Sequence, residues 1–226
     1  MSYSVRFQEF QAALTKNVPD LTIKYKNESF LMQLLGKIMF FNPAFMTDFV
    51  TTIGHTVYFP TKAMTEVEDP NAICVLAHEY RHMRDSKKWG SILFTLAYLF
   101  PQLLAPLALL LILVSWPVAI AVFVMLLAPW PAPGRKAIEY NGYCMSLFMY
   151  NYFLKELNYN EADRQSNLMQ TVDVLDSYFT SFDYYLMWPF GVKDEMLAVL
   201  QDILSEDIVK KDVIYSEVEE ALASSK

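Results

Sequence analysis

The run from His78 to His82, His-Glu-Tyr-Arg-His, holds the residues of this chain best suited to chemistry. In an α-helix, residues four apart project from one face, so the imidazoles of His78 and His82 can converge on one cation. Glu79 follows the first histidine, where its carboxylate can reach a water bound to that cation. This HExxH pattern predicts two zinc ligands and a general base on one helix. Zinc lowers the pKa of its water, and the glutamate accepts the proton during attack on a carbonyl.

The composition of the chain strengthens this interpretation of the motif. The alternative is a surface helix that happens to carry two histidines. However, the chain has only three histidines, and two of them lie in this run. The residues just before it also supply the apolar flank that a buried catalytic helix needs; they are Ile73, Val75, Leu76 and Ala77.

A catalytic zinc site usually has three protein ligands and one open position. No third histidine follows at the short spacing of the metzincins, and His55 lies upstream on a predicted strand. Glu139 is the best candidate, because it lies on a predicted helix beyond a long apolar run and close to Arg135 and Lys136. Its alternative role is a surface carboxylate paired with a basic residue. The rival carboxylates are Glu66, Glu68, Asp85 and Glu161. Asp85 shares a helical face with His82, so we expect it to orient an imidazole or to be an ordinary surface charge.

The elements that must position these residues are mostly helices. Asp69 and Pro70 predict the start of the HExxH helix, as N-cap and first helical residue, and Gly90 follows its end near Trp89. The run 56–59, bounded by Gly54 and Pro60, predicts an edge strand that could hold substrate as an added β-strand. Further helices are predicted at about 5–16, 29–41, 135–157, 161–185, 192–204 and 206–223, and a further strand at 21–25. We therefore predict a single domain over 1–226, mainly α with a small β-sheet (α+β, zincin-like), whose C-terminal helical region covers 161–226.

A long apolar run follows the HExxH helix. Between Lys88 and Arg135 there is no charged residue. The run predicts an inserted helical hairpin over 91–134, with its apex at 115–117, that either spans a bilayer or re-enters it. The alternative is a soluble protein that buries this hairpin within itself or in an oligomer. We refer to residues 91–134 as the apolar hairpin.

The net charge and the cysteine content limit the possible partners and the cellular compartment. A formal net charge of -7 argues against a nucleic-acid partner, because phosphate binding needs a basic face. Cys74 and Cys144 do not form a disulfide framework and are expected to be buried. The first residues are polar and lack an apolar signal core, so the chain is expected to start in the cytoplasm. Basic residues flank the hairpin on both sides, which predicts a site facing the cytoplasm; they are Arg81, Arg84, Lys87, Lys88, Arg135 and Lys136.

The order of these features distantly resembles the membrane-embedded gluzincins, namely the prenyl-protein (CAAX) endopeptidases and the heat-shock membrane proteases of bacteria. The resemblance covers about residues 50–150: a strand, an HExxH helix, an apolar hairpin, and a helix with arginine before glutamate. It implies that His78 and His82 are zinc ligands, that Glu79 is the base and that Glu139 is the third ligand.

The chain departs from this family at Tyr143. The family has an aspartate four residues after the ligand glutamate, preceded by a small residue that is Gly142 here. A tyrosine cannot replace that carboxylate, although its hydroxyl can donate a hydrogen bond to an oxyanion. The chain is also short for the family and lacks its further membrane segments.

The expected function is zinc-dependent hydrolysis of peptide bonds in a peptide or protein substrate at a lipid bilayer. One alternative is a non-enzymatic membrane or assembly protein that retains a metal site for stability, because 15% of the residues are aromatic. Another is a soluble peptidase whose apolar hairpin is an oligomer interface. Fractionation between membrane and cytosol distinguishes the last of these from the first.

Overall fold

A computed structural model of the chain describes residues 2–39, 42, 44–181 and 186–225. Within them the fold is mainly helical with a small three-stranded sheet, which confirms the predicted class. The strands are β1 (Thr22–Tyr25), β2 (Thr51–Ile53) and β3 (Thr56–Phe59). The α-helices are α1 (Tyr3–Leu14), α2 (Phe30–Ile38), α3 (Ala44–Thr47), α4 (Ala63–Glu66), α5 (Asn71–Trp89), α6 (Ser91–Leu99), α7 (Trp116–Leu127), α8 (Pro133–Glu156), α9 (Glu161–Thr180), α10 (Val192–Leu204), α11 (Asp207–Lys211) and α12 (Val213–Ser224). Two 3-10 helices cover Lys26–Glu28 and Gln102–Leu113.

The sheet has the order β1-β3-β2, so β3 is the central strand. It pairs in parallel with β1 and antiparallel with β2, and the prediction that it is an edge strand is wrong. Pro60 follows the last paired residue, so it removes no hydrogen bond from the ladder. Both edges of β3 are occupied, and an added strand has to pair elsewhere. Strand β2 is joined to it by a tight turn at Gly54, whose φ of 61° suits glycine.

The HExxH helix α5 packs against α8 in the centre of the molecule. Leu76 and Ala77 of α5 are fully buried, as are Met145 and Leu147 of α8. Burying a side chain of the size of Leu or Met stabilises a fold by about 1.5–3 kcal/mol. The start of α5 is close to the predicted position, because the Asp69 carboxylate accepts a hydrogen bond from the Asn71 amide at 2.8 Å. This packing fixes the helix that carries both histidines.

The apolar hairpin is built from α6, the 3-10 helix 102–113 and α7. Helix α6 lies along α8, whereas the 3-10 helix and α7 pack against each other as two arms. The first arm does not continue α6: the axis bends by 73° at Phe100 and Pro101. Proline restricts the residue before it and lacks an amide hydrogen, so the helix ends there. The turn between the arms lies at 114–115, close to the predicted apex.

Much of the surface of the two arms is apolar. Leu113 and Val114 at the apex are 89% and 85% exposed, and Leu110 and Trp116 are each 67% exposed. In the part of the chain that the structure describes, no helix is by itself both long enough and apolar enough to cross a bilayer. Helix α6 and the 3-10 helix reach the required length and composition only together, across their bend.

The C-terminal region differs from the prediction at one break. Helix α10 has the predicted bounds, and α9 ends at Thr180, while residues 182–185 of the helix predicted at 161–185 lie outside the described residues. The helix predicted at 206–223 is divided at Asp212, whose carboxylate caps the next helix by accepting from the Ile214 amide at 2.9 Å. Residues 40 and 41, at the end of the helix predicted at 29–41, are also outside the described part.

Most of the basic residues that flank the hairpin form contacts with other groups of the protein. Arg81 contacts Asp85 and Asp212, and Arg84 contacts Glu217. Arg135 and Lys136 also contact groups of the chain itself, namely Gln102 and Glu195. Lys87 and Lys88 are exposed. The exposed positive charge next to the hairpin therefore lies mainly at the end of α5.

Candidate metal centre

The two histidines of α5 and Glu139 of α8 meet at one point. Glu139 Oε2 lies 3.5 Å from His78 Nε2 and 3.7 Å from His82 Nε2. Their ligand atoms all lie within 4.8 Å of one another. Among the described residues, no other group of histidine, cysteine, aspartate or glutamate side chains is close enough to share an ion. The structure thus brings together the three predicted ligands and leaves out the rival carboxylates Glu66, Glu68, Asp85 and Glu161.

The donor set fits a metal ion. Two imidazole nitrogens and one carboxylate oxygen are the protein ligands of many catalytic zinc sites. Ligand atoms about 2 Å from a tetrahedral ion are about 3.3 Å apart. The observed separations of 3.5 and 3.7 Å are close to that value. The side chains of His78, His82 and Glu139 are only 11%, 10% and 13% exposed, so the group can hold an ion largely shielded from bulk water.

The charges within the group favour a cation. Burial raises the pKa of Glu139, but hydrogen bonds and charge interactions with the two imidazoles lower it more, so it lies well below its usual range. Burial lowers the pKa of His82, but the carboxylate of Glu139 outweighs this effect and raises it. Glu139 is therefore ionised, as a ligand must be. A cation would have to compete with a proton at His82.

Ser146 fixes the orientation of His78. Its hydroxyl lies 3.2 Å from His78 Nδ1 and donates to the carbonyl oxygen of Gly142 at 3.3 Å. The serine oxygen is then left to accept a hydrogen bond from Nδ1–H, and Nε2 keeps its lone pair for an ion. Sequence reasoning missed Ser146. The sequence could have indicated it, because Ser146 lies seven residues after Glu139 and therefore on the same face of α8, two turns later.

Gly142 allows α8 to approach the imidazoles. A Cβ atom added there would lie 2.6 Å from both Cε1 and Nε2 of His78 and 2.8 Å from Cε1 of His82. These distances are too short for any side chain without movement of the rings. Glycine in the middle of a helix weakens it by about 0.5–1 kcal/mol relative to alanine. The close approach to two ligands explains why a glycine occupies this helical position.

Glu79 is held by the edge strand of the sheet. Its Oε2 accepts a hydrogen bond from Thr52 Oγ1 at 2.7 Å, and its Oε1 has no hydrogen-bond partner among the described residues. The side chain is buried, and its charge is close enough to His82 to help raise the pKa of that imidazole. Sequence reasoning missed Thr52 because it did not predict strand β2.

Asp85 does not have the predicted partner. Its Oδ2 accepts hydrogen bonds from Arg81 Nε and from Asn141 Nδ2, both at 2.9 Å. Arg81 in turn donates to Asp212 at 2.6 Å. Instead of orienting an imidazole, Asp85 links α5 to α8 and, through Arg81, to the C-terminal region. His82 Nδ1 is buried and has no hydrogen-bond partner among the described residues.

Tyr143 lies beside the centre as an aromatic neighbour. Its ring meets the His78 ring edge-on, with centroids 4.9 Å apart and an interplanar angle of 67°. On its other sides it contacts Tyr178 at 5.7 Å and Phe179 at 5.6 Å. These contacts place Tyr143 beside the candidate ligand His78, and its role as an oxyanion donor stays a prediction.

Helix α6 of the apolar hairpin also contacts the centre. The Tyr98 hydroxyl donates to Glu139 Oε1 at 2.8 Å. Phe94 lies one turn earlier, with its ring 6.3 Å from that of His82. Sequence reasoning missed both residues because it assigned the whole helix to the membrane segment.

Comparisons with protein-family models, with curated proteins and with solved structures find no match to this chain. The arrangement of the two histidines with Glu79 and Glu139 is therefore the basis for assigning a function.

Proposed function

We propose that this chain is a membrane-associated, zinc-dependent endopeptidase of the gluzincin type. His78, His82 and Glu139 hold the zinc ion, and Glu79 is the general base. The observation that carries the proposal is the return of Glu139, from beyond the apolar hairpin, to within 3.5 and 3.7 Å of the two imidazoles. A helix with two histidines by chance would not require a buried carboxylate from a distant helix to face them.

The chemistry divides between the ion and the residues around it. Zinc supplies Lewis-acid activation of water and of the scissile carbonyl. Thr52 occupies Glu79 Oε2, which leaves Oε1 to accept the proton of the attacking water and to pass it to the leaving amine. Tyr143, packed against His78, is the candidate to donate a hydrogen bond to the oxyanion.

The free edge of β2 is the candidate docking strand for the substrate. It is the edge strand next to the general base, because Thr52 contacts Glu79 directly. An extended peptide that pairs with 51–53 would gain backbone hydrogen bonds of the kind used in β-strand addition. This assignment replaces β3 in that role.

The apolar hairpin is the candidate membrane contact. Its two arms expose large apolar side chains and carry no charge. In water such a surface favours aggregation, whereas in lipid the same side chains are in a favourable apolar environment. The exposed Lys87 and Lys88, just before the start of the hairpin, favour a metal site on the cytoplasmic side of the membrane.

The test uses the full chain, purified in detergent micelles. Elemental analysis should find about one zinc ion per chain, and a peptide library should be cleaved. A Glu79→Gln variant should keep the metal and lose hydrolysis by at least about a hundredfold, as expected for removal of a general base. The matched control is Glu66→Gln, which changes an exposed carboxylate paired with Lys62. A Glu79→Gln protein as active as wild type, or wild type without a bound transition metal, would exclude the mechanism.

A second candidate is a non-enzymatic membrane or assembly protein in which the metal serves stability. The large exposed apolar surface of the hairpin favours it, because such a surface also suits contacts between protein chains. Bound metal without cleavage of any peptide, together with stable oligomers in micelles, would support this candidate over hydrolysis.

A further inference from the structure

The two oxygens of the Glu139 carboxylate have different partners. Oε2 faces both imidazoles, whereas Oε1 accepts the hydrogen bond from the Tyr98 hydroxyl at 2.8 Å. Tyr98 belongs to α6, the first helix of the apolar hairpin. One oxygen of the carboxylate is therefore turned toward the ligands and the other is held by the hairpin.

The position of Tyr98 is itself fixed by contacts with the start of α8. Arg135, one turn before Glu139, donates from Nε to the Tyr98 carbonyl at 3.1 Å. It also donates from Nη2 to Gln102 Oε1 at 2.8 Å. Gln102 Nε2 donates to the Ala128 carbonyl at 3.1 Å, so the start of the first arm is linked to the end of the second. A chain of contacts thus runs from the hairpin arms to the third ligand.

The close packing of α6 against α8 supports this connection between the hairpin and Glu139. A Cβ atom added at Gly134 would collide with the carbonyl oxygen of Ala97, the residue next to Tyr98. The two helix backbones are therefore in contact immediately before the Tyr98–Glu139 pair. A shift of α6 would move the Tyr98 hydroxyl away from the carboxylate.

We infer that Tyr98 is a positioning residue for Glu139, and that the apolar hairpin is through it a structural part of the metal centre. This inference rests on the proposed function. The Tyr98 hydroxyl holds the carboxylate so that Oε2 alone meets the ion. Without the hydroxyl the carboxylate can rotate, and both of its oxygens become available. The position of the hairpin against α8 then determines the affinity of the site for the ion.

The test measures metal binding rather than hydrolysis. Tyr98→Phe keeps the ring and removes only the hydroxyl. In the full chain in micelles we expect zinc affinity, measured by competition with a chelator, to fall about 10- to 100-fold, as for other residues that orient a ligand. Cobalt added in place of zinc should give visible absorption bands that differ from those of wild type, because the carboxylate coordination changes.

The matched control is Tyr80→Phe on α5. Tyr80 donates to Glu217 at 2.6 Å, so this variant also loses a tyrosine–glutamate hydrogen bond, but the glutamate is not a ligand. Its zinc affinity and cobalt spectrum should equal those of wild type. If Tyr98→Phe binds both metals as wild type does, the positioning role is wrong. If wild type binds neither metal, the proposed function fails instead.

The link to the hairpin has its own variant. Gln102→Leu removes the bonds to Arg135 and Ala128 without touching a ligand. We expect a weaker zinc affinity and a cobalt spectrum shifted toward that of Tyr98→Phe. If Tyr98→Phe does not fold, this variant carries the test. Wild-type affinity in the Gln102→Leu protein would overturn the connection between the hairpin and the centre.

Discussion

The Thr52 hydroxyl donates a hydrogen bond to Glu79 Oε2 at 2.7 Å, which joins the edge strand of the sheet to the proposed general base. Both residues belong to segments that are also expected to meet the substrate, the free edge of β2 and the HExxH helix. A peptide that pairs with this edge would therefore lie beside the carboxylate that has to accept the proton. The hydrogen bond also determines which oxygen of Glu79 would be available to act as the proposed base.

A Thr52→Val variant tests this relationship. The change removes the hydroxyl at nearly constant shape, so Glu79 loses its partner. A hydrogen bond to a charged group contributes about 1.5–3 kcal/mol, so we expect kcat/KM to fall about tenfold to a hundredfold with zinc content unchanged. The control is Thr51→Val, because successive side chains of a strand point to opposite faces. Equal activity of the two variants would contradict a role for the Thr52 hydroxyl.

A Gly142→Ala variant tests how closely α8 must approach the ligands. The added methyl group would lie 2.6 Å from the His78 ring, so the imidazoles have to move and the three ligand atoms separate. We expect loss of zinc binding, measured by elemental analysis after dialysis against a weak chelator. In the control, Gly36→Ala, the new methyl group comes too close only to the side chain of Met46, at 2.8 Å, which is flexible, and lies at an ordinary contact distance of 3.9 Å from Phe45. Full zinc occupancy in Gly142→Ala would show that the rings adapt without cost.

A third prediction concerns the buried Lys26. Its ammonium group donates to the Phe45 carbonyl at 2.5 Å and lies 3.9 Å from the centre of the Phe45 ring. Burial lowers its pKa to about 8, although the charge of Glu79 partly opposes this. Between that pH and about 10.5, the usual pKa of lysine, the unfolded chain binds a proton that the folded protein has lost. The stability of wild type should therefore rise with pH over this window.

The measurement compares thermal unfolding of wild type and Lys26→Met in micelles at pH 7 and pH 10. From pH 7 to pH 10, the free energy of unfolding of wild type should rise by up to about 3 kcal/mol relative to that of the variant. One unit of pKa difference corresponds to about 1.4 kcal/mol. Other titrating groups are common to both proteins and cancel in the difference. Lys24→Met, at an exposed lysine of β1, should show no such change relative to wild type. A pH-independent difference for Lys26→Met would contradict the prediction.

The two candidate histidine ligands could be predicted from the sequence because their geometry is local. Two histidines four residues apart share a helical face whatever surrounds them. Glu139 is distant in sequence, and it could be proposed because it is the first carboxylate after the apolar run and lies on a predicted helix close to Arg135 and Lys136. The other side chains of the site, Thr52, Ser146 and Tyr98, depend on which helix or strand lies opposite, and their partners are 27, 68 and 41 residues away. Nothing in local periodicity encodes such contacts.

The errors in the fold have the same origin. Pro60 suggested an edge strand, but it lies just past the paired residues and leaves both edges of β3 free to pair. The prolines in the apolar run 91–114 predict a kink, and the run does bend at Pro101, but neither the size of the bend nor the 3-10 helix that follows it was predicted. Hydrophobic composition indicates an apolar environment, and it does not distinguish between helix types or fix a bend angle.

The three candidate ligands lie on both sides of the apolar hairpin in the chain. A ribosome therefore synthesises both histidines before any part of the hairpin, and Glu139 only after all of it. A nascent chain has an incomplete ligand set throughout that interval. Any metal binding that needs all three side chains would therefore have to wait until the whole hairpin has been synthesised, so the order of translation would itself set when the site can be completed.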